Sequence, residues 1–230
     1  MMSDYTIRTI NYVIQDKMIY QDTVVLQYRI EYPKFKSVYF HQAAESISTY
    51  YKRKALAFQN YCRRRLYREA IEQYEYSVAQ GNPVLPFEAQ MVYQLTYSEN
   101  CAISLYFDQY IYQGGAHGNT LRIADTWTLK KGGSPLPLRQ FFQHYVRYRE
   151  YIIRQVTYQI EKELEQNPGV YFDDYVQNIK NEFDDNDFYL VPKGIVVFFQ
   201  QYAIAPYSSG IPEFFIPFEH GRVIPPRCRH

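Results

Sequence analysis

The fold is decided by the stretch from Glu99 to Leu129, which reads ENCAISLYFDQYIYQGGAHGNTLRIADTWTL. Apolar and polar side chains alternate along both ends of this stretch, with the period of two that is typical of half-buried strands. The apolar positions are Ile103, Leu105, Phe107 and Ile111 before the glycines, and Leu121, Ile123, Trp127 and Leu129 after them. Because β-branched and aromatic residues dominate both ends, we predict a central hairpin closed by the loop 113–119.

The loop of this hairpin has the composition of a recognition surface. Gly114, Gly115 and Gly118 surround His117, and glycine tolerates positive φ and the close approach of a ligand. We therefore expect at least one of these three glycines to adopt a positive φ. Since tyrosine also suits recognition, we predict that Tyr112 joins these four residues in a binding site. A histidine here can instead be a metal ligand, a base or a turn residue. No second histidine lies in a local motif with it, which favours a binding or structural role over catalysis.

The composition is that of an ordinary soluble globular protein. The chain has 230 residues, 47% hydrophobic and 21% charged, which is enough for one large domain or two small ones. Its 26 tyrosines are spread along the chain, so they fit wide half-buried surfaces better than a single site. The formal net charge of +1 gives no support for nucleic acid as a partner.

The three cysteines, Cys62, Cys101 and Cys228, do not form a recognisable framework. No pair has metal-ligand spacing, and an odd count leaves at most one disulfide, whose pairing stays open. The glycine-rich loop matches neither the phosphate-binding loop nor the dinucleotide fingerprint. We therefore predict no metal and no cofactor.

The order of elements predicts an α+β protein. Strands are expected first, then one long amphipathic helix or two in line over residues 40–80, then the hairpin, a second helix over 139–165 and a β-rich tail. This order indicates antiparallel sheets with two long helices packed on them. We expect the apolar faces of these helices to cover one sheet that contains Phe107, Ile123 and Val197. We predict an N-terminal β/helix sub-domain over residues 1–85, an α+β sub-domain over 86–220 and a frayed tail over 221–230.

A second loop follows Ala205 and is stiffened by prolines. Pro206 and Gly210 are expected to shape it, and Tyr207 to join the binding surface. Glu213 is expected to tie this loop down. Asp125 falls on the apolar side of its strand, where a carboxylate needs hydrogen-bond donors, so we also give it a structural role.

No catalytic mechanism is recognisable in the sequence. The serines stand in no Gly-x-Ser-x-Gly elbow, and the cysteines stand in no nucleophile motif. We therefore predict no catalytic residues. One alternative stays open, namely a cell-wall-related hydrolase or metal-dependent enzyme that uses His117 with Asp125 or Glu213.

Several motifs resemble those of one bacterial domain family. Residues 110–118, YIYQGGAHG, resemble its Gly-Gly-Ala-His-Gly signature, and residues 136–142, LPLRQFF, fit its middle motif. Residues 188–214 are similar to its C-terminal signature and read FYLVPKGIVVFFQQYAIAPYSSGIPEF. This family forms the extracellular part of the RsiV-type anti-sigma factors, which act as lysozyme receptors. It also occurs beside polysaccharide deacetylase domains in cell-wall enzymes.

The resemblance implies an α+β unit at the cell surface whose partner is lysozyme or peptidoglycan. The chain departs from an intact anti-sigma factor, because it shows no sigma-binding segment, no signal-peptide core in residues 1–11 and no run of about 20 apolar residues. As written, the sequence therefore indicates a cytoplasmic protein, whereas the family resemblance suggests the cell surface, and the location stays open. We expect a non-catalytic binding module whose ligand is a protein or a cell-wall glycan.

Overall fold

The computed structural model describes residues 7–228, and the chain divides into two units. The first unit comprises Met1–Tyr93 and Phe107–Leu121, and the second comprises Gln94–Tyr106 and Arg122–His230. The boundary that the sequence placed after residue 85 falls inside the first unit, in the connector before its third strand. The class predicted from the sequence, α+β with long helices packed on sheets, is confirmed.

The first unit begins with a long hairpin of two strands. Strand β1 (Arg8–Tyr20) pairs antiparallel with β2 (Thr23–Lys36), in a register that places Tyr12 opposite Tyr32. Strand β2 continues through Pro33, although proline cannot donate to a ladder. Its other edge is paired with β3 only from Leu26 to Ile30, so the missing N–H falls beyond that pairing.

The helix expected over residues 40–80 is confirmed as two α-helices in line. Helix α1 (His41–Tyr61) passes through a π-helical segment, Cys62–Leu66, into α2 (Tyr67–Ala79). Gly81, at a φ of +67°, ends α2 in the left-handed conformation that glycine adopts most easily. The buried stripe of α1 consists of Ala43, Ala44, Ile47, Tyr51, Ala55 and Phe58.

The prediction of antiparallel pairing is wrong at one place. Strand β3 (Phe87–Glu99) pairs parallel with β2, with Leu26 opposite Phe87. Parallel neighbours need a crossover of a dozen residues or more, and α1 and α2 supply it. Alternation along a strand reports which face is buried and carries no information on the direction of the neighbouring strand.

The central hairpin is confirmed as β4 (Ala102–Tyr112) and β5 (Asn119–Thr128). With the short β6 (Ser134–Pro135), they complete a six-stranded sheet of order β1-β2-β3-β4-β5-β6. The predicted faces are correct for β4 at Phe107, which is 1% exposed. For β5 they are correct at Trp127, which is buried, and wrong near the start of the strand, where Arg122 is buried and Leu121 is 46% exposed.

The second unit contains a separate antiparallel sheet. Its strands are β7 (Phe188–Val191), β8 (Gly194–Phe198) and β9 (Glu213–Pro217), in the order β7-β8-β9. Val197 therefore belongs to a different sheet from Phe107, contrary to the expectation of a single sheet. A continuous apolar strand pairs equally well in either sheet, so the sequence could not assign it.

Two helices of the second unit contribute to its core. Helix α3 (Tyr148–Leu164) starts later than expected, because residues 138–141 form a 3₁₀ turn. It contacts β9 and the shorter α4 (Tyr175–Glu182). Their shared apolar core includes Ile152, Val156, Ile160, Ile179, Leu190, Ile195, Phe214 and Ile216, all of which are buried.

The C-terminal segment was expected to fray, whereas residues 221–228 are held in place. Val223 is fully buried and forms a β-bridge with Phe142, and Cys228 forms a disulfide with Cys101. The two cysteines lie 127 residues apart, and nothing local in the sequence pairs them. Residues 229–230 lie outside the described part of the chain.

Candidate functional site

The glycine-rich loop of the first unit is displayed to solvent. Residues 113–117 are all exposed. Gly114 has a φ of +75° and Gly115 a φ of +133°, values at which a Cβ is strained. The prediction that at least one loop glycine adopts positive φ is confirmed. These two residues allow the chain to reverse between β4 and β5 while its backbone stays accessible.

Gly118 is needed for a different reason. It is buried, and a Cβ added there would overlap the ring of Tyr110. Its backbone adopts no positive φ, so the requirement is for space. The ring of Tyr110 therefore packs directly on the backbone where β5 begins, and this contact fixes one end of the loop.

Hydrogen bonds hold the other end of the loop. The Tyr112 hydroxyl donates to the carbonyl oxygen of Gly115 over 3.1 Å. The Gln113 amide donates to one carboxylate oxygen of Glu69 over 2.9 Å, and Arg65 donates to the other over 2.9 Å. Because these bonds reach from the loop to α2 and the adjoining π-helical segment, the loop is braced within its unit.

His117 is exposed at the tip of this loop. Its Nδ1 lies 3.0 Å from the carbonyl oxygen of Gly118. That contact favours the tautomer with a proton on Nδ1, because the carbonyl oxygen can only accept. The exposed ring leaves a face with which a ligand can make contact.

The second predicted loop lies in the second unit. Pro206 precedes the 3₁₀ turn Tyr207–Ser209, and Gly210 follows it at a φ of +68°. The rings of Tyr202 and Tyr207 lie 5.7 Å apart, and Tyr202 is 50% exposed. Pro206 and Gly210 therefore stand where a turn requires them, and Tyr207 contributes to a small aromatic surface.

A buried arginine is the main feature that the sequence reasoning missed. The side chain of Arg122, on β5, lies with its guanidinium carbon 3.9 Å from the ring centroid of Tyr106 and 5.7 Å from that of Phe198. It also forms an ion pair with Glu213. Alternation placed Arg122 on a solvent face. The burial of Arg122 could have been suspected from the tyrosines at positions 106 and 189, which lie on strands that could pack against it.

Glu213 was expected to hold its own loop, and it also binds the side chain of Arg122. One carboxylate oxygen pairs with Arg122, and the other accepts a hydrogen bond from the Tyr189 hydroxyl over 3.0 Å. Burial, together with the nearby carboxylate, raises the pKa of Tyr189 above its usual value. The phenol therefore stays protonated as a donor across the physiological range.

A glutamine completes the surroundings of Arg122. The Gln200 amide accepts from the backbone N–H of Arg122 over 3.0 Å and donates to its carbonyl oxygen over 2.8 Å. It also donates to Asp187 over 3.3 Å. Burial raises the pKa of Asp187 to about 6, against the opposing effect of the bond from Gln200. Arg122 is thus fixed through both its main chain and its side chain.

The residues of the predicted enzyme alternative are divided between the units. His117 belongs to the first unit, and Asp125 and Glu213 belong to the second. Asp125 is half-buried on β5, and both oxygens of Glu213 are engaged as described. Among residues 7–228, no group of three or more His, Cys, Asp or Glu side chains is arranged to hold a metal ion.

The cysteines fall into two environments. Cys101 and Cys228 are joined, whereas Cys62 is a buried free thiol in the first unit. Burial raises the pKa of Cys62 to about 12, so the reactive thiolate is scarce at neutral pH.

Within the described residues, no helix combines the length and apolar character needed to span a bilayer.

The fold is thus a mixed α+β arrangement with a six-stranded and a three-stranded sheet. Two stretches of the chain match two family models. The model described as "Deacetylase PdaC" matches residues 19–120. The model described as "Protein of unknown function (DUF3298)" matches residues 140–219, which include the whole C-terminal signature quoted above. No curated protein matches the chain.

Two crystal structures of DUF3298 proteins are similar in fold. A member of that family from Bacteroides fragilis superimposes with a TM-score of 0.66 at 16% identity, covering 92% of this chain and 90% of its own. A DUF3298 family protein from Pseudomonas aeruginosa gives a TM-score of 0.57 at 14% identity, covering 96% and 94%. The relation to lysozyme receptors stays a prediction.

Proposed function

We propose that this chain is a non-catalytic binding module that recognises a protein or a cell-wall glycan through the loop 113–119. The observation that carries the proposal is a loop that is exposed and yet braced at both ends. Gly118 packs on Tyr110, and Gln113 is held by Glu69. A loop fixed before it meets its ligand loses less conformational entropy on binding.

The disulfide supports a location outside the reducing cytosol. Disulfides persist in secreted and cell-surface proteins and are rare in the cytosol. The bond between Cys101 and Cys228 therefore favours the cell-surface setting implied by the family resemblance over the cytoplasmic reading of the sequence. Lysozyme and peptidoglycan, the partners that the resemblance implies, are both found there.

A second candidate is deacetylation or another hydrolysis of a cell-wall glycan. The match of residues 19–120 to the model described as "Deacetylase PdaC" favours it. His117 lies within that match, at an exposed position. This candidate requires turnover and, for a metal-dependent mechanism, a stoichiometric metal bound through His117.

The two candidates are separated by binding and turnover measurements on the same preparation. We expect the purified chain to be retained on immobilised lysozyme or on purified peptidoglycan, and His117→Ala to weaken that retention. His220→Ala is the matched control, because His220 is also exposed but lies in the other unit. Release of acetate from acetylated chitooligosaccharides, or one bound metal per chain that is lost in His117→Ala, would overturn the binding-module proposal.

A further inference from the structure

A groove of about 940 Å³ opens in the first unit between the β1–β2 hairpin and the start of α1. The hairpin contributes Arg8, Tyr12, Tyr32, Lys34 and Lys36 to its walls, and α1 contributes Lys52 among others. Phe35 and Ala44, both buried, form an apolar floor. The groove involves none of the residues of the loop 113–119 and is a separate surface.

The lysine and arginine side chains of this groove form no ion pairs within the part of the chain that the structure describes. Within residues 7–228, none of the four cationic groups of Arg8, Lys34, Lys36 and Lys52 has a carboxylate oxygen within the 4.0 Å of an ion pair. The only carboxylate in the described lining is Glu45, which lies 3.8 Å from His41. Elsewhere eight arginines are paired with carboxylates, whereas Arg53, Arg64 and Arg154 form no ion pair within the described residues; the eight are Arg29, Arg63, Arg65, Arg68, Arg122, Arg147, Arg149 and Arg222.

Such a cluster repels itself and attracts anions. Like charges gathered along one concave surface raise the local concentration of a negatively charged ligand. The chain as a whole has a formal net charge of only +1, so this potential is a local property of the groove. An anion bound in the groove relieves the repulsion between its cationic side chains and is itself attracted to them.

Aromatic rings lie beside these charges. Tyr12 and Tyr32 are directly opposite across β1 and β2, with ring centroids 5.6 Å apart and planes inclined by 27°. The Lys34 ammonium lies 5.9 Å from the centroid of Tyr12, which is 41% exposed. An amphipathic ring of this kind packs against the C–H face of a sugar while its hydroxyl stays hydrated.

We propose that this groove binds an acidic polysaccharide, a chain of sugars that bear carboxylates. Its lysines pair with carboxylates spaced along the ligand, and Tyr12 packs against a sugar ring between them. The size and open shape of the groove fit an extended chain better than a single small anion. Single-stranded nucleic acid fits less well, because Tyr12 and Tyr32 are stacked on each other and leave no slot for a base between them.

The test uses fluorescently labelled oligogalacturonate, a polymer of carboxylated sugars, and fluorescence anisotropy with the full chain. We expect saturable binding that Lys34→Glu combined with Lys36→Glu weakens at least tenfold. The charge-matched control is Lys180→Glu with Lys193→Glu, two exposed lysines of the second unit, which should change the affinity less than twofold. Equal weakening by both pairs would overturn the proposal, because it would report net charge alone.

Tyr12 provides a second readout that does not depend on charge. We expect Tyr12→Ala to weaken binding about fivefold and Tyr12→Phe to retain it. Neutral dextran should not compete, and the Lys34→Glu, Lys36→Glu variant should keep its retention on immobilised lysozyme, so failure here is distinguishable from failure of the loop to bind its ligand. Binding of a single-stranded oligonucleotide more tightly than oligogalacturonate, or an unchanged affinity in Tyr12→Ala, would overturn the proposal.

Discussion

The central guanidinium carbon of Arg122 lies 3.9 Å from the ring centroid of Tyr106. Arg122 is 8% exposed, whereas the side chain of its partner Glu213 is 40% exposed. The ring of Tyr106 therefore covers one side of the Arg122 cation, and the partly exposed carboxylate of Glu213 neutralises its charge. This arrangement keeps a charged side chain within the second unit without an unpaired buried charge.

Replacing Arg122 with Ala should destabilise the protein, because Glu213 and the Tyr106 face lose their shared partner. We expect a loss of about 1–3 kcal/mol in the free energy of unfolding, below the range for fully buried pairs because Glu213 reaches solvent. Urea denaturation measures it. Arg147→Ala is the control, since Arg147 is 83% exposed and should change stability by less than about 0.5 kcal/mol. Equal effects would show that burial of Arg122 contributes nothing.

Gly118→Ala should destabilise the loop through its overlap with Tyr110. We expect a cost of about 1–3 kcal/mol, the usual range for overpacking. In a Tyr110→Ala background the same change should cost much less, because the overlapping ring is gone, and a double-mutant cycle by thermal melting measures the difference. His117→Ala, at an exposed position, should leave stability nearly unchanged. Additive effects at 110 and 118 would refute the steric explanation.

Phe107→Ala should remove a central contact of the first unit. Its ring lies 5.3 Å from that of Tyr51 and 5.8 Å from that of Tyr93. Loss of a buried phenylalanine side chain should cost about 3–5 kcal/mol. Leu121→Ala, at an exposed position of the same hairpin, should cost far less. A small effect at Phe107 in chemical denaturation would mean that the cavity collapses or that the ring is not central to the core.

Reduction of the disulfide between Cys101 and Cys228 should release the C-terminal segment and lower stability. Removal of a native disulfide typically costs about 2–5 kcal/mol. Thermal melts with and without reductant should differ in the wild type and coincide in a Cys101→Ser, Cys228→Ser variant. Cys62→Ala is the control, because its buried thiol is free and the dependence on reductant should persist. Melts of the wild type that coincide would show that the bond is absent or carries no stability.

Stability should depend on pH through Asp187. Its pKa is raised to about 6 by burial, above the ordinary value of 3.8, so the native state holds the proton more tightly than the unfolded chain. The contribution of Asp187 to the free energy of unfolding is greatest below about pH 4 and is lost as pH rises through 6. Well above pH 6 it no longer changes with pH. The free energy of unfolding of Asp187→Asn, relative to that of wild type, should therefore be higher at pH 7 than at pH 4. Urea titrations at the two pH values measure this difference. Between pH 7 and pH 8 the difference between Asp187→Asn and wild type should stay constant, and a difference that does not change between pH 4 and pH 7 would contradict this prediction.

The sequence predicted those features that depend on local pattern. Alternation around Phe107 identified the central hairpin, and the spacing of apolar residues between 40 and 80 identified the helices. It failed where distant segments meet. The parallel pairing of Leu26 with Phe87 and the disulfide of Cys101 depend on tertiary structure alone.

The candidate sites divide in the same way. Glycines at 114 and 115 adopt the positive φ that their composition predicted. Arg122 was placed on the wrong face because alternation assumes that a charged residue faces water, and here an aromatic ring and a carboxylate replace the water. The cationic groove could not be predicted because its residues are spread over positions 8–52 of the sequence. They come close together only in the tertiary structure, where β2 and α1 pack against each other.

The π-helical segment at Cys62–Leu66 sets the phase of the helices on either side of it. Phe58, Cys62, Leu66 and Ala70 follow one another at steps of four, and all are buried. In an unbroken α-helix each step of four overshoots a full turn by about 40°, which would carry this row around the axis and into solvent. The wider π turn takes up the surplus residue. The number of residues between α1 and α2 is therefore a constraint on the core, independent of which side chains occupy the outward positions.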